Sequence, residues 1–188
     1  MGSDVVPCFA YIGAGEPPQH DGLAVRRRVS RVMRIVVVGG SASNVGKTTL
    51  AARLIGAHAA GGPVVAVKVS VRETPCETRL LTLRPGDEAE HRRDTGRLLA
   101  AGARCVVWVT VHRPKVRSGL ARGLATARSM RPATVLIEST SAGIELRGID
   151  ESWFVAGDGE WKPWAELHRR RADHVLRSDD VLETAVAR

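Results

Sequence analysis

The chain has 188 residues, 44% of them hydrophobic, which is enough apolar material for one packed core and too much for wholesale disorder. Its 28 Lys and Arg exceed its 20 Asp and Glu by eight. No run approaches the roughly 20 apolar residues that cross a bilayer, and no apolar signal segment precedes a small-residue cleavage site, so no membrane association and a cytoplasmic location are expected.

Residues 1–32 contain Pro7, Pro17, Pro18, several glycines and the run Arg26-Arg27-Arg28, with no sustained hydrophobic period. They are expected to form a poorly ordered N-terminal extension, and residues 33–188 a single folded domain. From Met33 onward, unbroken Val/Ile/Leu runs predict buried strands at 34–39, 64–70, 104–111, 133–138 and 152–156, with a shorter one at 174–176. Helical patterns fall between them, at about 47–60, 88–102, 117–130, 163–171 and 179–187. This alternation implies right-handed crossovers, hence an α/β fold of three layers around a central, mostly parallel sheet. Residues 71–93 read as a long polar connection at the mouth of that sheet, either a lid or acceptor site or an ordinary excursion.

The charge surplus is local. Thr95–Ile137 holds eight basic residues and no acid, and the rest of the chain is balanced. Such clustering invites a nucleic-acid reading. Against it, the chain has seven aromatics, and Trp153, Phe154, Trp161 and Trp164 lie far from the basic stretch in sequence, leaving it without a stacking platform. In the helix at 117–130, Arg117, Arg122 and Arg128 fall off the apolar arc of Leu120, Gly123, Leu124, Ala127 and Met130, so they are expected to form a solvated face. Cys8, Cys76 and Cys105 are odd in number and widely spaced, which argues against a disulfide framework or a zinc ribbon.

The strongest chemical signal is Gly39-Gly40-Ser41-Ala42-Ser43-Asn44-Val45-Gly46-Lys47-Thr48-Thr49, between a predicted strand and a predicted helix. Small residues let successive backbone N–H groups turn toward one anion, and the helix N-terminus behind them adds a positive dipole end. Gly40, Ser43, Asn44, Val45, Gly46 and Thr49 are therefore candidates for binding a nucleoside triphosphate, ATP or GTP. Lys47 would reach the β- and γ-phosphates and Thr48 would hold Mg²⁺. The loop is one residue longer than the simple pattern, because Ser41 stands where the first glycine is usual. No lysine is followed two residues later by Asp, and there is no Asp-x-x-Gly switch, so a Ras-type GTPase is excluded.

In an open parallel sheet the ligand lies beyond the strand C-termini, where Lys68 and Glu138 are expected. Glu138 can hold Mg²⁺ or orient a nucleophile, or it can cap a loop. Lys68, one of four lysines in a chain that prefers Arg, can neutralise an anionic group. Asp94 is either an oxygen ligand or substrate contact, or the surface partner of Arg93 or Arg97. Trp161-Lys162-Pro163-Trp164 reads as packing, Arg169-Arg170-Arg171 as solvated charge, and Cys76 as a weak candidate ligand.

The loop Gly-Ser-Ala-Ser-Asn-Val-Gly-Lys-Thr-Thr resembles that of dethiobiotin synthetase and its relatives. These belong to the branch of P-loop NTPases that includes MinD and ParA, although Ala42 replaces the signature lysine of those two. The order of this loop, Val-Ala-Val-Lys68-Val, Asp94-Thr95 leading to Ala-Gly-Ala103, and Val-Leu-Ile-Glu138 is similar to the MobB family of nucleotide-binding adaptors in molybdopterin-guanine dinucleotide biosynthesis, over about residues 34–140. The chain departs from that pattern in having no histidines after Lys68, Arg93 before Asp94, and Ser139-Thr140-Ser141 after Glu138. The resemblance implies a P-loop NTPase fold. It also implies slow hydrolysis or phosphoryl transfer in cofactor metabolism, with a small acidic acceptor or a partner enzyme and a base site at the turn Arg177-Ser178-Asp179-Asp180, where Ser178 is equally a good helix N-cap. Two alternatives stand beside it, a small-molecule kinase or ligase and a non-catalytic nucleotide-switched adaptor; a homodimer is left open.

Overall fold

A computed structural model describes residues 33–87 and 94–181. The expectations for residues 1–32 and for the ends of two predicted helices, at 88–93 and 182–188, lie outside the described residues. Seven strands form one sheet: β1 (Arg34–Gly40), β2 (Val64–Arg72), β3 (Arg79–Leu83), β4 (Cys105–His112), β5 (Thr134–Glu138), β6 (Glu151–Ala156) and β7 (His174–Arg177). Their order across the sheet is β3-β4-β2-β5-β1-β6-β7, and every pairing is parallel except β3 with β4. The helices are α1 (Lys47–Ala59), α2 (Asp94–Ala100), α3 (Val116–Ser129), α4 (Ala142–Glu145) and α5 (Ala165–Arg169), with a further helical start at 178–181. Among the described residues no helix is long and apolar enough to cross a membrane.

The Val-rich runs form central strands because both of their faces are covered. Val36 and Val38 of β1 pack with Leu50, Ala51 and Ile55 of α1 and Leu98 and Leu99 of α2. On the opposite face, Ile35 and Val37 join the cluster that holds Val116, Leu120, Leu124 and Ala127 of α3. Alternate residues of one strand thus feed two cores, which makes three layers. The predicted arc of α3 holds: Leu120, Gly123, Leu124 and Ala127 are buried, and Arg117, Arg122 and Arg128 are exposed.

Two predicted features need correction. The connection 71–93 is not all loop, because Arg79–Leu83 pairs antiparallel with β4, from Arg79 opposite Thr110 to Leu83 opposite Val106. An unpaired β4 would leave a long hydrogen-bonding edge open, and this short strand covers it. The helix predicted at 163–171 is shorter, Ala165–Arg169, because residues 161–164 are held by other contacts described below.

His168 of α5 is 0% exposed and sits behind the start of the loop that follows β1. Its Nε2 lies 3.1 Å from Ser152 Oγ, and its ring meets Phe154 edge-on. The imidazole occupies the space beside Gly39 and Gly143: a Cβ at either position would come within 2.2 Å of the ring. Burial lowers the His168 pKa to about 4, against a weaker opposing pull from the Thr140 backbone. A histidine held neutral in the fold but free to protonate when unfolded stabilises the protein fully above its ordinary pKa of 6.5. That stability is lost as pH falls from 6.5 toward 4, amounting to about 3 kcal/mol at the lower end. Urea unfolding at pH 7 and pH 4.5 should show this loss in the native chain and a smaller one in His168→Gln. Equal losses in the two proteins would contradict it.

Candidate functional site

The C-terminal ends of β1, β5, β2 and β4 open into one cleft of about 710 Å³. Its near wall is the loop between β1 and α1. Gly46 (φ 95°) and Asn44 (φ 61°) take left-handed backbone conformations, which Gly accepts freely and Asn tolerates better than most side chains. Gly46 is the N-cap of the 13-residue α1, so the positive end of that helix faces the cleft.

Lys47 is the first residue of α1, and its Nζ donates to the carbonyl of Ala42, across the loop. Burial lowers its pKa to about 8; Lys162 is the next strongest influence in the same direction, and Glu138 and Asp94 oppose it. The Thr48 hydroxyl donates to Glu138 Oε1 at 2.9 Å. Glu138, 6% exposed, also receives Lys68 Nζ on Oε1 at 3.1 Å, while its buried Oε2 has no hydrogen-bond partner among the described residues. Lys68 Nζ reaches Asp94 Oδ2 as well, at 2.9 Å. Burial pushes the Asp94 carboxyl up, but the hydrogen bond and charge of Lys68, with Arg97 and Lys47 behind it, hold it below its ordinary value. Asp94 opens α2, where a carboxylate also suits the helix dipole.

The longer loop is accommodated through Ser41. Its side chain turns away from the cleft, and its Oγ accepts the Gly157 N–H at 2.8 Å, while its carbonyl accepts the Lys162 N–H at 2.9 Å. Thr140, in the segment that departs from the MobB pattern, fastens the other side. Its hydroxyl donates to the Gly40 carbonyl at 2.8 Å and lies 3.2 Å from the Gly40 nitrogen.

No protein-family model matches the sequence, and neither does any curated protein. Among solved structures, the chain is similar to LpxK from Aquifex aeolicus, crystallised in complex with ATP, with a TM-score of 0.51 and 13% identity. The match covers 77% of this chain and 48% of that one, so this chain spans about half the length of its structural neighbour. The fold is that of a P-loop NTPase.

Within the P-loop NTPase frame, the predicted residues divide into two groups. Ser43, Asn44, Gly46, Lys47, Thr48, Thr49, Lys68, Asp94 and Glu138 all line the one cleft. Gly40 and Val45 do not: Gly40 is engaged by Thr140, and the Val45 side chain is buried in the core on the α1 face. The Val45 carbonyl accepts the Ser178 hydroxyl at 3.0 Å, which fastens the base-site candidate of the sequence to the loop. Cys76 is half-buried, and no group of three His, Cys, Asp or Glu side chains able to hold a metal occurs among the described residues.

Several cleft residues were not singled out from sequence. Arg97 donates to Thr49 Oγ1 at 2.9 Å. Arg113 forms a bidentate pair with Glu73, which holds the Glu73 carboxyl below its ordinary range, and its guanidinium lies 3.6 Å from the centre of the Trp164 ring. Trp164 is thus remote from the basic stretch in sequence but stacked on it in space. Lys162 lines the cleft instead of serving only as packing. The available signal was lysine scarcity: three of the chain's four lysines, Lys47, Lys68 and Lys162, face this one cavity. Six cations and three carboxylates line it, a surplus suited to an anion.

Proposed function

We propose that this protein binds an Mg²⁺–nucleoside triphosphate and either hydrolyses it slowly or transfers its terminal phosphoryl group to a small acidic acceptor. The observation that carries the reading is the placement, in one cationic cleft, of Lys47 at the α1 N-terminus beside the 2.9 Å Thr48–Glu138 hydrogen bond. Loop N–H groups and Lys47 would hold the phosphate chain. The orphaned Glu138 Oε2 and the Thr48 hydroxyl offer hard oxygen donors that fit Mg²⁺, which would neutralise developing charge on the β- and γ-phosphates.

In the transfer, an oxygen nucleophile bonds to the γ-phosphorus and the bond to the β–γ bridging oxygen breaks. The diphosphate departs with that electron pair, beside Lys47. Glu138, buried on the sheet's C-terminal edge, would orient the nucleophile; a water nucleophile would pass its proton to a γ-phosphate oxygen and from there to solvent, whereas an ionised carboxylate or phosphate acceptor has none to lose. Catalysis of this kind is positioning plus electrostatic stabilisation.

The motif order supports a MobB-like role in cofactor metabolism, including molybdenum cofactor metabolism, and the likeness to a protein solved with ATP supports ATP ahead of GTP. A kinase or ligase reading draws support from Lys68, which bridges Asp94 and Glu138 where an acceptor would approach. Phosphate release from ATP and from GTP, with and without Mg²⁺, tests the proposal. Mg²⁺-dependent turnover of either nucleotide is expected, and turnover that Mg²⁺ does not affect would contradict the metal's role. A large rate increase on adding small carboxylate or phosphate acceptors favours the kinase, whereas tight binding with negligible turnover favours a nucleotide-switched adaptor that docks a partner enzyme.

A further inference from the structure

The segment after β6 is built more firmly than a packing turn needs. It leaves the strand at Gly157, whose N–H is held by Ser41 Oγ, and it returns to the phosphate loop at Lys162, whose N–H is held by the Ser41 carbonyl. Between these two points the Trp161 indole N–H closes the turn on the Gly157 carbonyl at 2.9 Å, and its ring lies 5.5 Å from Phe154. Beyond Lys162, Trp164 lies under Arg113 at the end of β4, and Arg113 is in turn clamped by Glu73. The segment therefore crosses from the β6 side of the loop toward β4, secured at both ends.

Lys162 is the charged residue of that crossing, and it faces the cleft. It forms no ion pair among the described residues, and Glu73, a carboxylate that acts on it, is occupied by Arg113. Burial, then the charge of Arg113, lowers the Lys162 pKa. On its other side, Lys162 is the strongest charge acting on Lys47. A half-buried ammonium that faces the cleft, feels the Arg113 and Lys47 charges and has no ion pair among the described residues gains from an anion placed there. A phosphate chain held by the loop would run from β1 toward Thr48 and Glu138, which ends β5, and β2 and β4 lie beyond β5 on that same side of the sheet.

We propose that Lys162 is a second catalytic cation, seated on the terminal phosphoryl group of the bound nucleoside triphosphate by a segment fastened at Ser41 and at Arg113. The proposal rests on the nucleotide-binding reading above and adds a residue and a target atom group to it. Lys47 would reach the β- and γ-phosphates, whereas Lys162 would meet the γ-phosphoryl group alone, so a diphosphate separates the two.

The test compares native protein, Lys162→Met and Lys162→Arg in Mg–ADP affinity, Mg–ATP affinity and ATP turnover, with Lys47→Met as reference. Lys162→Met should bind Mg–ADP like the native chain, bind Mg–ATP about 10-fold more weakly, and turn over about 100-fold more slowly. Lys162→Arg should recover part of both losses. An undiminished melting temperature would show that Lys162→Met is folded. Equal loss of ADP and ATP affinity, or no loss of either, overturns the proposal while Lys47→Met still reports on the nucleotide site. Native protein that binds neither nucleotide overturns the parent reading, and this one with it.

Discussion

Lys47→Met should abolish nucleotide-induced thermal stabilisation without lowering the melting temperature of the free protein. The substitution keeps the aliphatic stem and removes an ammonium that is partly buried, repelled by the charge of Lys162 and, among the described residues, hydrogen-bonded to the Ala42 carbonyl. In the free protein that charge is a burden, which a bound polyphosphate would offset. Removing one member of a desolvated charge pair costs about 2–5 kcal/mol, so affinity for the triphosphate should fall by at least about 30-fold. Differential scanning fluorimetry with and without Mg–ATP reads both halves. A variant that melts well below the native free protein would show that Lys47 has a structural role, and a retained shift would show that it does not touch the nucleotide.

Glu138→Gln should lower turnover by about 10²–10⁴-fold while leaving nucleotide binding in the absence of metal intact. The amide preserves a partner for the Thr48 hydroxyl, and Lys68 retains Asp94 at 2.9 Å, so the local hydrogen-bond frame survives. What disappears is the negative charge on a strand-end group whose buried Oε2 has no hydrogen-bond partner among the described residues. Single-turnover kinetics with prebound ATP separate this effect from weakened binding. Turnover within about threefold of native would reduce Glu138 to a loop cap, the plainer role its position also allows.

Local rules explain which features could be read in advance. The unit β1–loop–α1 was legible because every element of it is contiguous: a buried Val run, glycines with the needed backbone freedom, and Lys-Thr-Thr opening an amphipathic helix. Glu138 and Lys68 were legible because parallel strands deliver their C-terminal residues to one edge. Strand β3 was not, because Arg79-Leu80-Leu81-Thr82-Leu83 sits among polar residues and prolines and becomes a strand only by pairing with the free edge of β4. The crossing segment was equally hidden. Nothing near Lys162 in sequence announces that Ser41 will hold its N–H or that Trp164 will meet Arg113. His168 lies next to an arginine run that reads as solvent-facing, yet two remote glycines, Gly39 and Gly143, make room for its ring in the core.

The charge of the basic stretch also changes meaning in three dimensions. Arg97 and Arg113 turn into the cleft, while Arg117, Arg122 and Arg128 stay on the outer face of α3. The surplus thus divides between a site for an anion and a surrounding positive field that would draw one in.

Calorimetric titration of the native full chain with Mg–ATP and Mg–GTP shows whether the cleft is a nucleoside-triphosphate site. Saturable binding of at least one of them, at one site per chain and weakened when Mg²⁺ is removed, is expected. The absence of measurable binding of either nucleotide at millimolar concentration would contradict that assignment.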